Sequence, residues 1–282
     1  MGISTLVIVG VGLVGGSVGL AARRRGAAGR VIGVDRDGGA LERAIAAGAI
    51  DDACADLAAA AAVADFVMVC TPVDQVAAQV AHAAAECRPG TVLSDVGSTK
   101  AAIVGSLEGR LPAGVSFVGG HPLAGSEKNG PEHARADLFE GCVVVLTPTR
   151  ATDPGAVAVV GGFWSALGGR VRLMEAGVHD RALALTSHLT HLVACALCGA
   201  LPAELVELTA TGFRDTTRLA SGPPTVWGPI LRANRAALLD ALARFEVQLS
   251  RFRQALAADD AGALGALLQL GKTIRDGLDN QG

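Results

Sequence analysis

The sequence predicts a doubly wound α/β domain with a mostly parallel sheet, followed by an all-helical domain. Three observations carry this expectation. Short apolar runs alternate with helix-length amphipathic stretches as far as Met174. Those runs are continuously apolar, as strands covered on both faces must be. From His179 onward the short runs vanish, and long stretches with 3.6-residue periodicity replace them.

The strands are predicted at Thr5–Val9, Arg30–Val34, Asp65–Cys70, Thr91–Asp95, Ser116–Val118, Cys142–Thr147 and Arg170–Met174. The later ones can add antiparallel pairing at a sheet edge. Helices are expected between them at Leu13–Arg25, Asp74–Glu86 and Pro154–Leu167, and in the second part at Leu231–Leu256 and Ala261–Leu278. The change of pattern puts the boundary near Glu175, giving domains 1–174 and 175–282. A helical domain with this much apolar surface is expected to pack against a copy of itself, so a homodimer through that domain follows.

Composition narrows the function. Half of the 282 residues are hydrophobic and 18% are charged, which gives a globular chain with a core of its own. The net charge of −3 is spread along the chain, so neither a nucleic-acid nor a membrane surface is expected, and a small molecule is the natural partner. Cys54, Cys70, Cys87, Cys142, Cys195 and Cys198 are scattered and read as free thiols of a reducing cytoplasm. Met1 to Ala22 carries no charge and precedes Arg23, Arg24 and Arg25, which imitates a membrane anchor. It contains six glycines, however, and reads as a strand, a turn and a helix. Leu6 occupies the position where a myristoylation signal carries a hydroxyl residue.

The first strand runs into Gly10-Val11-Gly12-Leu13-Val14-Gly15-Gly16. Glycines at this spacing allow a tight turn, close approach of the backbone to a pyrophosphate, and close helix–strand packing. The helix start then offers N–H groups to the phosphates. Asp35 stands twenty residues after Gly15, at the end of the second strand, where a carboxylate accepts hydrogen bonds from a ribose. A glycine-lined turn with no ligand is the plainer reading of the triplet alone. The order strand, triplet, helix, strand, acid favours a Rossmann-like dinucleotide-binding domain. Asp35 favours NAD, because it repels a 2′-phosphate; Arg36 beside it leaves NADP open. Cys70-Thr71-Pro72 ends the third predicted strand and is expected to touch the cofactor.

Two further segments follow predicted strands and are expected on loops at the ligand-binding edge: Asp95-Val96-Gly97-Ser98-Thr99-Lys100 and Gly119-Gly120-His121-Pro122-Leu123-Ala124-Gly125-Ser126-Glu127. Glycines and proline bracket His121, a poor context for a histidine in a strand or helix. A solvated loop histidine is the bland reading. Facing a nicotinamide, the same imidazole can take a hydroxyl proton as hydride leaves. The second domain contributes His179-Asp180, Ser187-His188-Leu189-Thr190-His191, Gly212-Phe213-Arg214-Asp215-Thr216-Thr217-Arg218 and Pro223-Pro224-Thr225-Val226-Trp227. His188, His191, Cys195 and Cys198 share a helical face, but ten residues of helix span ~15 Å, too far for one ion. No metal is expected.

These segments, in this order, resemble the prephenate and arogenate dehydrogenases of tyrosine biosynthesis, from Gly10 to about Asn234. The resemblance implies oxidative decarboxylation of a cyclohexadienol with a nicotinamide cofactor. It implies that His121 accepts the ring hydroxyl's proton, that Ser98 assists it and the cofactor, and that Arg218 clamps a substrate carboxylate. Ser126, Glu127, Ser187 and His191 match other pocket positions, and His179 and Trp227 lie in matching segments. Thr190 replaces a proline common in the family, and Gly228-Pro229 stand where a charged residue and aspartate are familiar. The resemblance leaves prephenate against arogenate open. The rival readings are another nicotinamide dehydrogenase, acting on hydroxy acids or imines, and a non-catalytic NAD-binding regulator.

Overall fold

The computed structural model describes residues 2–125, 128 and 130–279. Ser126 and Glu127, both expected in the substrate pocket, lie outside the described residues. Backbone packing divides the chain into one unit ending at Arg235 and a second from Ala236 onward.

The first unit is built on eight strands: β1 (Ile3–Val9), β2 (Ala28–Val34), β3 (Asp52–Cys54), β4 (Phe66–Val69), β5 (Val92–Asp95), β6 (Ser116–Pro122), β7 (Val143–Thr147) and β8 (Arg170–Leu173). They form one sheet in the order β3-β2-β1-β4-β5-β6-β7-β8. Pairing is parallel from β3 to β6, antiparallel between β6 and β7, and parallel again between β7 and β8. Strand order reverses between β1 and β4, and such a switch point opens a crevice at the carboxyl ends of the strands.

The helices α1 (Leu13–Arg24), α2 (Gly38–Ala46), α3 (Leu57–Ala61), α4 (Val76–Glu86), α5 (Ala101–Leu107) and α6 (Pro154–Ala166) connect the strands. Leu6, Ile8, Phe66 and Met68 face one side of the sheet and pack with Val18 of α1 and Phe163 of α6. Val7, Val9, Val67 and Val69 face the other and pack with Ala61 of α3 and Val80 of α4. This two-sided burial is why the strands read as unbroken apolar runs. The uncharged amino-terminal stretch is thereby divided into β1 and most of α1, and both contribute to this core.

Beyond β8 the first unit is helical: α7 (Ala176–Leu183), α8 (Leu189–Gly199), α9 (Thr211–Thr217) and α10 (Pro224–Ala233). A single π turn, Ala184–His188, joins α7 to α8 in one continuous run. Ala176–Gly199 is long and apolar enough to cross a bilayer by length and composition alone. It carries buried His179, Asp180, His188 and His191, and Asp180 bonds to backbone N–H groups at the start of α5, so one face of it packs within the fold. Among the described residues no strand follows Leu173.

The second unit holds α11, Arg235–Ala257, from Ala236 on, and α12, Ala261–Asp279. Leu239, Leu249, Leu256, Leu268, Ile274 and Leu278 are exposed on them.

Two expectations are corrected. β3 is absent from the sequence reading, because Asp52–Cys54 has three residues and no apolar run. His121 is expected on a loop but lies within β6, opposite Val145 of β7. Glycines and a proline give a weak strand signal, and cross-strand pairing overrides it.

Candidate active site

The crevice at the switch point is a groove of about 840 Å³. Its lining includes Gly10, Gly12, Leu13 and Val14 from the turn after β1, Asp35 and Arg36 after β2, and Cys70, Thr71 and Pro72 after β4. Ser98, after β5, also lines it. The groove therefore gathers the expected cofactor residues apart from Gly15, whose role is packing. A Cβ on Gly15 would stand 1.9 Å from the Gly10 carbonyl oxygen. Gly10 has φ +92° and a Cβ there would meet the Cys70 carbonyl at 2.9 Å. Gly12, by contrast, has open space at its missing Cβ, as a backbone that must approach a phosphate requires.

Asp35 is fixed before any ligand arrives. Its Oδ2 accepts from Val11 N at 3.0 Å and its Oδ1 from Asp37 N at 3.0 Å, tying the end of β2 to the glycine turn. The hydroxyls of Thr71 and Thr99 are buried without a partner among the described residues. A carboxylate held in place at the end of β2, a cradle of small residues and the Thr71 hydroxyl in the groove fit a bound dinucleotide.

His121 projects from β6 just past the end of β5. Gly119 and Gly120 are needed for this strand to pass: a Cβ on Gly119 would lie 2.5 Å from Thr147 Oγ1, and one on Gly120 would lie 2.7 Å from the Asp95 carbonyl oxygen. The Gly120 peptide is held at both ends. Its N–H donates to Asp95 Oδ1 at 3.0 Å, and its carbonyl accepts from Lys100 Nζ at 2.9 Å. Lys100 and Asp95 form an ion pair that is wholly buried. Burial pulls the Lys100 ammonium below the ordinary lysine range, against the attraction of Asp95.

The His121 ring is buried, and its Nδ1 lies 2.9 Å from His179 Nε2. His179 Nδ1 in turn meets Asp180 Oδ1 at 2.8 Å. Burial is the largest cause that holds His121 well below the ordinary value of 6.5, and the nearby Lys100 ammonium adds to it. Burial alone would raise Asp180. The bonds from His179 and from the backbone of Ala101 and Lys100 outweigh it and leave this carboxyl lowered.

His188 and His191 belong to the same helical run and are also buried. His188 Nδ1 lies 3.0 Å from Asn234 Nδ2, and burial drives this imidazole down to about 4. His191 is stacked on Trp227 and bonds weakly to Cys195 Sγ at 3.5 Å. Ser187 is half-buried in the π turn, not on a regular helix turn, and its carbonyl accepts from Thr190 Oγ1 at 2.5 Å. Arg218 is exposed, in a 3-10 turn after α9. The structure thus joins His121 to His179, and His191 to Trp227, and leaves Arg218 at the surface. Sequence reasoning named the segments that hold Asp95, Lys100 and Asp180 without giving those residues a role, and it passed over Asn234. Each bonds to another residue of the site, and the signal available in the sequence was the Asp95–Lys100 spacing in a segment expected at the ligand-binding edge.

Two family models match the chain, the prephenate dehydrogenase nucleotide-binding domain over residues 18–173 and the prephenate dehydrogenase dimerization domain over residues 175–270. A cyclohexadienyl dehydrogenase of Zymomonas mobilis is 35% identical over 266 residues, 92% of this chain and 90% of that protein. The crystal structure of prephenate dehydrogenase from A. aeolicus, in complex with hydroxyphenyl propionate and NAD+, is similar at a TM-score of 0.92 and 32% identity, over 99% of each chain. The Synechocystis arogenate dehydrogenase is similar at 0.81 and 30%, over 97% of this chain and 99% of that one. With a nucleotide groove in the first domain, a buried histidine cluster beside it, and this likeness along the whole chain, the protein belongs to the prephenate dehydrogenase family.

Proposed function

We propose that this enzyme catalyses the NAD-dependent oxidative decarboxylation of prephenate to 4-hydroxyphenylpyruvate. The observation that carries the reading is His121: a buried imidazole with one nitrogen engaged by His179, on a strand clamped to the loop that supplies Ser98 to the groove. When bound, NAD takes up hydride from the ring carbon that bears the hydroxyl. His121 holds the hydroxyl proton while the carbon–oxygen double bond forms. Loss of carbon dioxide makes the ring aromatic, and the proton returns to the phenolic oxygen. Burial keeps the His121 imidazole neutral, the form that can accept a proton.

Ser98, which lines the groove, assists His121 and the cofactor, as the family resemblance implies. Arg218 supplies a guanidinium fork for a substrate carboxylate, as the family resemblance implies. Ser187, His191, His179 and Trp227 shape the pocket around the ring, and the family resemblance implies a substrate role for Ser126 and Glu127. Asp35 selects NAD through the ribose hydroxyls, and Arg36 offers a 2′-phosphate a second choice. The domain division lies near Glu175, where the two family models meet, and a homodimer forms through the helical domain. Exposed leucines on α11 and α12 support that interface. The six unpaired cysteines support a cytoplasmic setting.

Arogenate is the second reading, favoured by the likeness to a cyclohexadienyl and an arogenate dehydrogenase. Mixing the protein with each substrate and each nicotinamide, and following reduced-nicotinamide absorbance, tests both. A rise with prephenate and NAD is expected. A rise with arogenate alone corrects the substrate, and silence in all four combinations overturns the activity.

A further inference from the structure

Asp180 is bonded through both its carboxylate and its main-chain carbonyl, and each leads to a different imidazole. Oδ1 accepts from Lys100 N at 2.8 Å and Oδ2 from Ala101 N at 2.9 Å, so the start of α5 fixes the carboxylate in place. Oδ1 also meets His179 Nδ1 at 2.8 Å. An ionised carboxylate only accepts, so the hydrogen sits on His179 Nδ1. A neutral His179 then has its lone pair on Nε2, and the hydrogen shared with His121 belongs to His121 Nδ1. The outer nitrogen of His121 is left bare.

The second branch runs the other way. The Asp180 carbonyl accepts from Asn234 Nδ2 at 2.7 Å, which fixes the orientation of that amide. The same Nδ2 lies 3.0 Å from His188 Nδ1, which must accept. The hydrogen of a neutral His188 is therefore on Nε2, and that atom is buried with no partner among the described residues. A buried N–H without an acceptor is costly, and its presence beside the proposed base marks a place for a ligand oxygen.

The geometry points to Asp180 as the positioning residue that sets His121 and His188 in opposite tautomers, one presenting a bare Nε2 and the other an Nε2–H donor for an oxygen acceptor of the substrate. This rests on the reading of His121 as proton acceptor. One residue thereby specifies where a hydroxyl can donate and where a carboxylate or carbonyl can accept. A tautomer imposed by a buried acid acts on turnover more than on cofactor affinity.

Nitrogen-15 NMR of histidine-labelled protein with NAD bound tests the assignment without any substitution. The expected spectrum has hydrogen on Nδ1 of His121 and on Nε2 of His188. His179→Leu should release His121 into a mixture of tautomers and lower kcat about 10²-fold, with KM for NAD unchanged. His179→Gln, whose amide can turn its oxygen toward His121, should recover part of that loss. Hydrogen on Nε2 of His121 in the wild-type protein would overturn the proposal, as would a His179→Leu enzyme with unchanged turnover. Full turnover in His121→Asn would instead remove the reading of His121 as base, a separate result.

Discussion

His191 lies flat against Trp227, with ring centroids 3.7 Å apart and planes 7° from parallel. The stack depends on a residue in neither ring. A Cβ on Gly222 would stand 2.3 Å from Trp227 Nε1 and 3.1 Å from His191 Cε1. Gly222→Ala should therefore separate the rings, forfeiting about 0.5–1.5 kcal/mol of aromatic contact. On the proposal that both rings line the substrate pocket, KM for prephenate should rise several-fold while the Kd for NAD stays put. Steady-state kinetics beside a cofactor titration decide it, and an unchanged KM would mean the stack is only structural.

Two glycines of the turn after β1 should fail in different ways. Gly15→Ala puts a Cβ into the Gly10 carbonyl, so the protein should melt at lower temperature with or without cofactor. Gly12→Ala meets nothing within 4 Å in the protein itself, so Tm should hold while NAD affinity drops. Thermal melts and NAD titrations of the two variants separate packing from phosphate approach.

The acidic limb of the rate profile should lie unusually low. In the proposed mechanism His121 is a base only when neutral, and burial holds its pKa well below 6.5. As pH falls through 6.5, kcat/KM should therefore stay flat, declining only in more acidic buffer. A midpoint at or above 6.5 would contradict the burial of this group.

Lys100→Met leaves Asp95 buried without its cation. Breaking such a pair from one side typically costs about 3–5 kcal/mol. Urea unfolding should show a loss of this size, and kcat should fall with it, because the Gly120 carbonyl beside His121 loses its donor.

Stability should also fall in mild acid. His188 is held at about 4 in the fold against an ordinary 6.5, so the unfolded chain binds its proton more readily. Its contribution is intact above pH 6.5 and is lost as pH drops from 6.5 toward 4, up to ~3 kcal/mol at the low end. Denaturant midpoints of wild-type and His188→Asn proteins across that range should converge; parallel curves would exclude the effect.

The sheet was legible because Leu6–Val9 and Phe66–Val69 are buried on both faces and so are apolar without interruption. The nucleotide turn was legible because Gly10 and Gly15 each meet a steric demand that only glycine satisfies, while Gly12 leaves open space where a phosphate can approach. His121 was visible as chemistry but not as strand, since Gly119 and Gly120 are dictated by β5 and β7, partners remote in sequence. Asp180, seen only as the neighbour of His179, and Asn234 showed no role for a related reason. Their importance lies in hydrogen bonds across 54 to 80 residues of chain, and no local pattern encodes such a distance.

The π turn at Ala184–His188 shows what a single surplus residue can accomplish. In an uninterrupted α-helix each step turns the side chain about 100°, placing His188 about 180° and His191 about 120° around the axis from His179. Absorbing about one residue in a wider turn reduces those offsets to about 80° and 20°. Three imidazoles that a regular rod would scatter around its circumference are thus swung toward one side. The site is indexed by residue count along a rigid axle, so a lone insertion between His179 and Ala184 would rotate half of it away without loosening anything.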